Sequence, residues 1–240
     1  MLILVIVVAL SLLGLGSAFT ASAQSQRWAP PQEQIAEPTV PGWSIDVRSG
    51  CRLWNSYPRS GDIVRWTGPC GASGVSTGTG VAEWRYGGRV RRYEGEVRDG
   101  KPDGHGVYTL TNGDRYQGDV HEDQPHGHGI YVWAHGDRYE GDMREGRPHG
   151  RGTHVSTNGH RYDGEWRDGV NHGRGVFTWA DGSRYEGDWR NDRPHGYGVF
   201  TSGRRTRYEG QWRDGCFWEA HLEIAIGRWL SECPDDDEIL

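Results

Sequence analysis

The chain has 240 residues, 38 of them glycine and 12 tryptophan, yet only 34% are hydrophobic and few long aliphatic side chains occur beyond the N-terminal segment. That content is too poor in aliphatics for the core of a compact globule, but it suits a sheet whose face is covered by rings from every unit. The net charge of −6, with no large basic segment, excludes nucleic acid as an expected partner.

Residues 1–23 read as a signal peptide. Leu2 to Phe19 are apolar or small almost throughout, and Ala21-Ser22-Ala23 offers a small-x-small cleavage site before Gln24. No Lys or Arg precedes the apolar run, so the positive n-region is missing and an uncleaved membrane anchor over 2–19 remains the alternative. The expected location is exported, periplasmic or secreted. Residues 24–40 are rich in Pro, Gln and Glu and read as a flexible linker.

Residues 41–92 form an N-terminal cap with a degenerate repeat. Trp66-x-Gly68, Gly78-Thr79-Gly80-Val81, Trp84 and Gly87-Gly88 follow, loosely, the offsets that become strict further on. From Tyr93 the pattern is regular. Tyr93, Tyr116, Tyr139, Tyr162, Tyr185 and Tyr208 are spaced 23 residues apart, the signature of a stacked array of one supersecondary unit. The units are 93–115, 116–138, 139–161, 162–184 and 185–207, with a partial copy at 208–215.

Within a unit, Tyr185-Glu186-Gly187-Asp188-Trp189-Arg190 alternates large apolar with polar or glycine, the period of a half-buried strand. Gly196-Tyr197-Gly198-Val199-Phe200-Thr201 is its expected partner. The intervening Asn191-Asp192-Arg193-Pro194-His195 reads as a loop, because proline does not continue a central ladder. Asn112-Gly113, Asn158-Gly159 and Asp181-Gly182 are the expected two-residue type I′ turns. Interior proline and dense glycine exclude helical repeats. The result is an all-β, elongated, single-layer antiparallel meander of β-hairpins with disulfide-closed capping segments.

One face of that sheet is expected to carry the six tyrosines, then Val97, Val120, Met143, Trp166, Trp189 and Trp212 four residues further on. Val107, Ile130, Val176 and Val199 join them with Tyr108, Tyr131, Phe177 and Phe200 beside them, and glycines at Tyr+2 leave room for rings. The third unit is weakest, with Thr153 and His154 in place of an aliphatic and an aromatic residue. Residues 216–240 make a C-terminal cap and acidic tail. Leu222, Ile224 and Ile226 alternate with Glu223, Ala225 and Gly227, favouring a last strand over a short helix.

Four cysteines allow three connectivities. A linear array keeps its ends apart, so Cys51 is expected to pair with Cys70 and Cys216 with Cys233, as suits an oxidising compartment.

Tyr93-Glu94-Gly95-Glu96, Tyr139-Glu140-Gly141-Asp142, Tyr162-Asp163-Gly164-Glu165-Trp166 and Tyr185-Glu186-Gly187-Asp188-Trp189 carry a resemblance to MORN (membrane occupation and recognition nexus) repeats. His126-Gly127-His128-Gly129, His149-Gly150-Arg151-Gly152, His172-Gly173-Arg174-Gly175 and His195-Gly196-Tyr197-Gly198 match the second half of the motif. The first unit departs from it with Asp103-Gly104. The resemblance implies a twisted sheet of hairpins used as a scaffold, a dimerisation surface or a membrane-proximal adaptor, and it implies no single activity.

Sites for chemistry are few. His126, His149, His172 and His195 recur two strands apart, about 9.5 Å at ~4.8 Å per strand. Zinc ligands stand only ~3.4 Å from one another, so the histidines read as structural and no metal is expected. Gly74-Val75-Ser76-Thr77-Gly78 has the nucleophile-elbow spacing but lies in a loop without the following helix that motif requires. No catalytic residue and no cofactor are expected. Arg115, Arg138, Arg161, Arg184 and Arg207 precede the tyrosines and are expected to pair with Asp119, Asp142, Glu165 and Asp188. The functional expectation is a non-enzymatic scaffold for protein–protein interaction or assembly in the cell envelope. The partner is an unidentified protein, and a homodimer is one form the assembly could take. The alternative is attachment to a membrane or envelope surface, lipid or glycan, through an aromatic–arginine face.

Overall fold

The computed structural model describes residues 41–219 and 222–225. The leader, the linker at 24–40, Cys233 and the acidic tail lie outside these residues. A first pair of strands, β1 (Gly42–Ile45) and β2 (Arg52–Asn55), forms a small sheet of its own. Every later strand joins one 15-stranded antiparallel sheet in chain order, without a crossover. These are β3 (Ile63–Trp66), β4 (Gly78–Tyr86), β5 (Arg89–Arg98), β6 (Lys101–Thr109), β7 (Arg115–His121), β8 (Gln124–Val132), β9 (Arg138–Arg144) and β10 (Arg147–Val155). They continue as β11 (Arg161–Arg167), β12 (Val170–Thr178), β13 (Arg184–Arg190), β14 (Arg193–Thr201), β15 (Arg207–Arg213), β16 (Cys216–Glu219) and β17 (Leu222–Ala225). The expected meander of hairpins is the fold, and Leu222–Ala225 is a strand.

Period-2 alternation decides the faces. In β7, Tyr116, Gly118 and Val120 are buried while Arg115, Gln117, Asp119 and His121 are exposed. Tyr93, Tyr108, Tyr116, Tyr131, Tyr139, His154, Tyr162, Phe177, Tyr185, Phe200 and Tyr208 are successive register partners, one ring per strand along the inner face. His154 takes the ring position in the weak third unit.

The aliphatic row lies on the other face, contrary to the sequence expectation. Val107 stands opposite Glu94 and Gln117, Ile130 opposite Gln117 and Glu140, and Val199 opposite Glu186 and Glu209. Each of these residues directly precedes an inner-face ring, and neighbours in a strand point to opposite faces.

The two turn types are also interchanged. Asp99-Gly100, Glu122-Asp123, Glu145-Gly146, Asp168-Gly169, Asn191-Asp192 and Asp214-Gly215 have positive φ at both residues, which a type I′ turn requires. At Asn112-Gly113 only the glycine is left-handed. Leu110 accepts from the Gly113 N–H and donates to Asp114, so this end is a type I turn closed by a left-handed glycine.

Consequently the proline lies inside a strand. Pro125 partners Val120 and Pro194 partners Trp189, each beside a register shift, a place where the missing N–H leaves no gap in the ladder. Its carbonyl is used by the next hairpin: Gly146, Gly169 and Gly215 donate to Pro125, Pro148 and Pro194 at 2.9 Å.

The cap repeats the unit with a different ring. Trp66 is buried, its Nε1 donates to the Pro69 carbonyl at 2.8 Å, and its ring covers Gly68 and Gly80. Cys51 and Cys70 form a disulfide. Cys216 is also disulfide-bonded, while its expected partner Cys233 lies outside the described residues.

Candidate binding surface

Each of the first five tyrosines lies over a glycine pair of its own hairpin. Its hydroxyl donates to the carbonyl three residues on: Tyr93 to Glu96 at 2.9 Å, Tyr116 to Asp119 at 2.6 Å, Tyr139 to Asp142 at 2.7 Å, Tyr162 to Glu165 at 2.9 Å and Tyr185 to Asp188 at 3.0 Å. The glycines at Tyr+2 and Tyr+13 therefore clear space for the unit's own ring, since a Cβ at Gly118 or Gly129 would collide with Tyr116. Burial, the largest cause, pushes the pKa of these hydroxyls well above the ordinary tyrosine value, as do the nearby carboxylates. They remain neutral donors through the physiological range.

The residue at Tyr+4 lies against this row. Trp189 meets Tyr162 and Tyr185 edge-on, with ring centroids at 5.3 and 5.2 Å, and its Nε1 donates to the Gly175 carbonyl at 3.1 Å. Trp166 and Trp212 make the same bond to Gly152 and Gly198 at 3.0 and 3.1 Å. Trp189 and Trp212 are buried; Trp166 is half-buried at the junction of two core clusters. In the first three units the same position holds Val97, Val120 and Met143, all buried.

Across the inner face of those early units runs a cleft of about 350 Å³. Leu110, Tyr116, Pro125 and Tyr131 give it apolar walls, and Asp123, Arg91, Arg144 and Asp168 bring charge to it. Of these, Arg91 pairs with Asp123 at 3.4 Å and Arg144 with Asp168 at 2.9 Å, and Glu145 and Arg147 also line the cleft.

Asp123 anchors the cap to the array. Its carboxylate accepts from Tyr108 at 2.6 Å and from the Ser56 hydroxyl, and it faces Arg91, whose guanidinium lies 4.0 Å from the Trp84 ring and 5.5 Å from that of Tyr57. The residue holds a left-handed φ of 68° in a slot where four of the other five tight turns have glycine. That conformation costs a non-glycine residue about 1–3 kcal/mol, which the contacts to Tyr108, Ser56 and Arg91 offset.

At the opposite ends of the hairpins, the residues two before Tyr116, Tyr139, Tyr162 and Tyr185 link neighbouring units. Asp114 accepts from Tyr131 at 2.6 Å and from the Ala134 N–H at 2.8 Å. Asp137 accepts from the Thr157 N–H at 2.8 Å, with His135 at 3.1 Å and His154 at 3.7 Å from its other oxygen. Burial works against the Asp137 charge, but bonds from Thr157 and His135 outweigh it and hold its pKa low. Burial, only partly countered by Asp137, lowers the pKa of His154. His160 and Ser183 make the same link to Ala180 and Gly203. This ladder was missed at the sequence level, although the recurrence of short polar residues at Tyr−2 marks it.

Of the histidine series, His149 and His195 accept weakly, at 3.4 and 3.5 Å, from the turn N–H of Asp168 and Asp214 in the next unit, an inter-unit structural role. The arginine row pairs differently from expectation. Arg138, Arg161 and Arg184 bind Glu140, Asp163 and Glu186 two residues on, at 2.6–2.7 Å, because residues i and i+2 share a face. Asp119, Asp142 and Asp188 instead accept from the backbone N–H of His128, Arg151 and Tyr197 at 3.0–3.2 Å.

A scan of protein families matches the MORN repeat at residues 93–115, 116–138, 139–161, 162–184, 185–207 and 208–215. The chain belongs to the MORN repeat family. The matched residues span half of the sequence, and the six MORN matches coincide with the tyrosine period. MORN repeats are non-catalytic modules for protein or membrane interaction. A search of curated proteins finds no match.

Proposed function

We propose that this chain is a non-enzymatic scaffold exported to the cell envelope, where its MORN array holds a protein partner. The carrying observation is the outer face. It bears one row in which Arg115, Arg138, Arg161 and Arg184 alternate with Val132, Val155 and Thr178, and beside it one in which Glu94, Gln117, Glu140, Asp163 and Glu186 alternate with Val107, Ile130, Thr153 and Val176. Repetition of one chemistry strand after strand is how solenoid-type proteins present extended binding surfaces. Ion pairing of the arginines, and burial of the tyrosines beneath their own hairpins, favours a protein partner over lipid or glycan. Export is supported by the apolar Leu2–Phe19 run with its small-residue cleavage site and by cysteines engaged in disulfides. Among the described residues no helix is long and apolar enough to cross a membrane.

Fractionation with crosslinking tests this reading. The expected outcome is a chain that starts at Gln24 in the envelope or medium, crosslinks to a discrete protein, and is left in solution by liposomes and peptidoglycan at moderate salt. Retention on either surface, or a chain found only inside the cell, overturns it.

A further inference from the structure

Arginines gather at one corner of the outer face, on the tight-turn edge where the array ends. Arg190 and Arg193 are register partners across the Asn191-Asp192 turn, and Arg213 is the partner of Cys216 across the next. All three side chains are exposed. Arg190 is held by Asp214 at 3.1 Å. Among the described residues neither Arg193 nor Arg213 has an ion-pair or hydrogen-bond partner. Asp192 accepts from the Asn171 N–H at 2.8 Å and so serves the preceding unit. Like charges directly opposite one another destabilise a sheet, so this corner gains from any further carboxylate brought to it.

The chain carries such carboxylates on a tether to the same corner. Of its four cysteines, Cys51 is bonded to Cys70 and Cys216 is disulfide-bonded, which leaves Cys233 as the partner of Cys216 within the chain. A disulfide holds its two Cα atoms about 4.4–6.8 Å apart, so residue 233 is tied beside Arg213. Asp235-Asp236-Asp237-Glu238 begins two residues further on, outside the described residues. At about 3.3 Å per residue these four side chains come within about 7–17 Å of the tether. Strands about 4.8 Å apart put Arg213, Arg193 and Arg190 about 5, 10 and 14 Å from Cys216. Tether, length and charge therefore agree. Arg147, which holds the Arg193 position two units earlier, stands six strands from Cys216, about 29 Å, and beyond that reach.

We propose that the Arg193–Arg213 corner is a docking site for an acidic peptide segment, and that its occupant is the chain's own Asp235–Glu238 tail, held there by the Cys216–Cys233 disulfide. The latched tail shields the C-terminal end of the outer face, so an acidic partner segment engages that end only by displacing it. The inference rests on the scaffold reading only for the existence of such a partner; the latch itself is tested without one.

The test is zero-length carbodiimide coupling of the mature, unreduced chain, read by mass spectrometry, in Arg193→Lys, Arg213→Lys and, as the out-of-reach control, Arg147→Lys. Each substitution keeps the charge and installs an amine that couples to a carboxylate in contact with it. Coupling to residues 235–238 is expected from positions 193 and 213 at about two- to thirtyfold the level from position 147, the worth of two exposed ion pairs. In about 1 M salt, where charges are screened beyond about 3 Å, that enrichment is expected to vanish. The native arginines are read in parallel by NMR. Changing Asp235→Asn, Asp236→Asn, Asp237→Asn and Glu238→Gln together is expected to shift the Nε–H signals of Arg193 and Arg213 and to leave that of Arg147 unmoved. Overturning results are an enrichment under about twofold, one that survives high salt, or Nε–H signals indifferent to the tail. Coupling that joins light to heavy chains in an isotopically mixed sample also overturns the proposal, because it assigns the tail to a second copy.

Discussion

Substitution of Gly175 by alanine tests whether the tyrosines are held by their own hairpins. An ideal Cβ at Gly175 would stand 2.6 Å from Tyr162 Cζ and 2.7 Å from Cε2. Carbon atoms settle at about 3.5–4.0 Å, so the ring must lift by about 1 Å. It has little room to slide, because Trp166 and Trp189 meet it edge-on at centroid distances of 5.1 and 5.3 Å. Lifting also breaks the bond from the hydroxyl to the Glu165 carbonyl. Overpacking costs about 1–3 kcal/mol, the hydrogen bond about 0.5–1.5, and each loosened ring contact a further 0.5–1.5 or so. The expected destabilisation is about 3–6 kcal/mol, read from urea unfolding followed by tryptophan fluorescence and circular dichroism. In a Tyr162→Leu background the side chain ends short of the atoms that the new methyl meets, and most of the penalty should vanish, a coupling of at least about 2 kcal/mol. A loss under 1 kcal/mol or so, or the same loss in both backgrounds, would refute the reasoning.

Asp123→Gly relieves a left-handed φ of 68° yet leaves Arg91 between two rings without its carboxylate; a net loss of about 2–3 kcal/mol in urea unfolding is expected, where relief of strain alone predicts a gain. Burial keeps the folded pKa of His154 below its unfolded value of 6.5, so the unfolded chain binds the extra proton. That contribution to stability is fully present above pH 6.5 and is lost as pH falls from there towards the folded pKa. His154→Phe, which installs the ring found at Phe177 and Phe200, should flatten the fall of Tm across that window; an unchanged slope counts against the assignment. Removing the Cys51–Cys70 disulfide by a double alanine substitution closes no loop over a separation of 19 residues and should cost about 3 kcal/mol. The unreduced protein should take up no alkylating reagent at either cysteine.

Much of the fold was legible because tyrosine, glycine and aromatic positions recur in register, and a 23-residue period with period-2 alternation has few other solutions. The faces were misread at Val107 and Ile130, where an apolar residue adjoining a tyrosine suggested a shared core. In a single-layer sheet a β-branched residue also serves the outer face, here between the polar residues Glu94, Gln117 and Glu140. The turns were misread because both hairpin ends carry an acidic or Asn residue next to glycine, as at Asn112-Gly113 and Asp168-Gly169. Only the pairing reveals that Pro148 and Pro194 lie beside a register shift and so belong to strands. The Asp123 cluster was out of reach for a different reason. It joins Ser56 and Arg91 of the cap with Tyr108 and Asp123 of two successive repeats, and no local pattern announces that the cap folds back onto the array.

The central claim is that consecutive hairpins lie edge to edge in one register, and inter-strand NOEs of the mature chain test it most directly. The account predicts an unbroken series connecting Tyr93, Tyr108, Tyr116, Tyr131, Tyr139, His154, Tyr162, Phe177, Tyr185, Phe200 and Tyr208, each to the next. Contacts that join the first repeat to the last, or a series shifted by one residue, would contradict it.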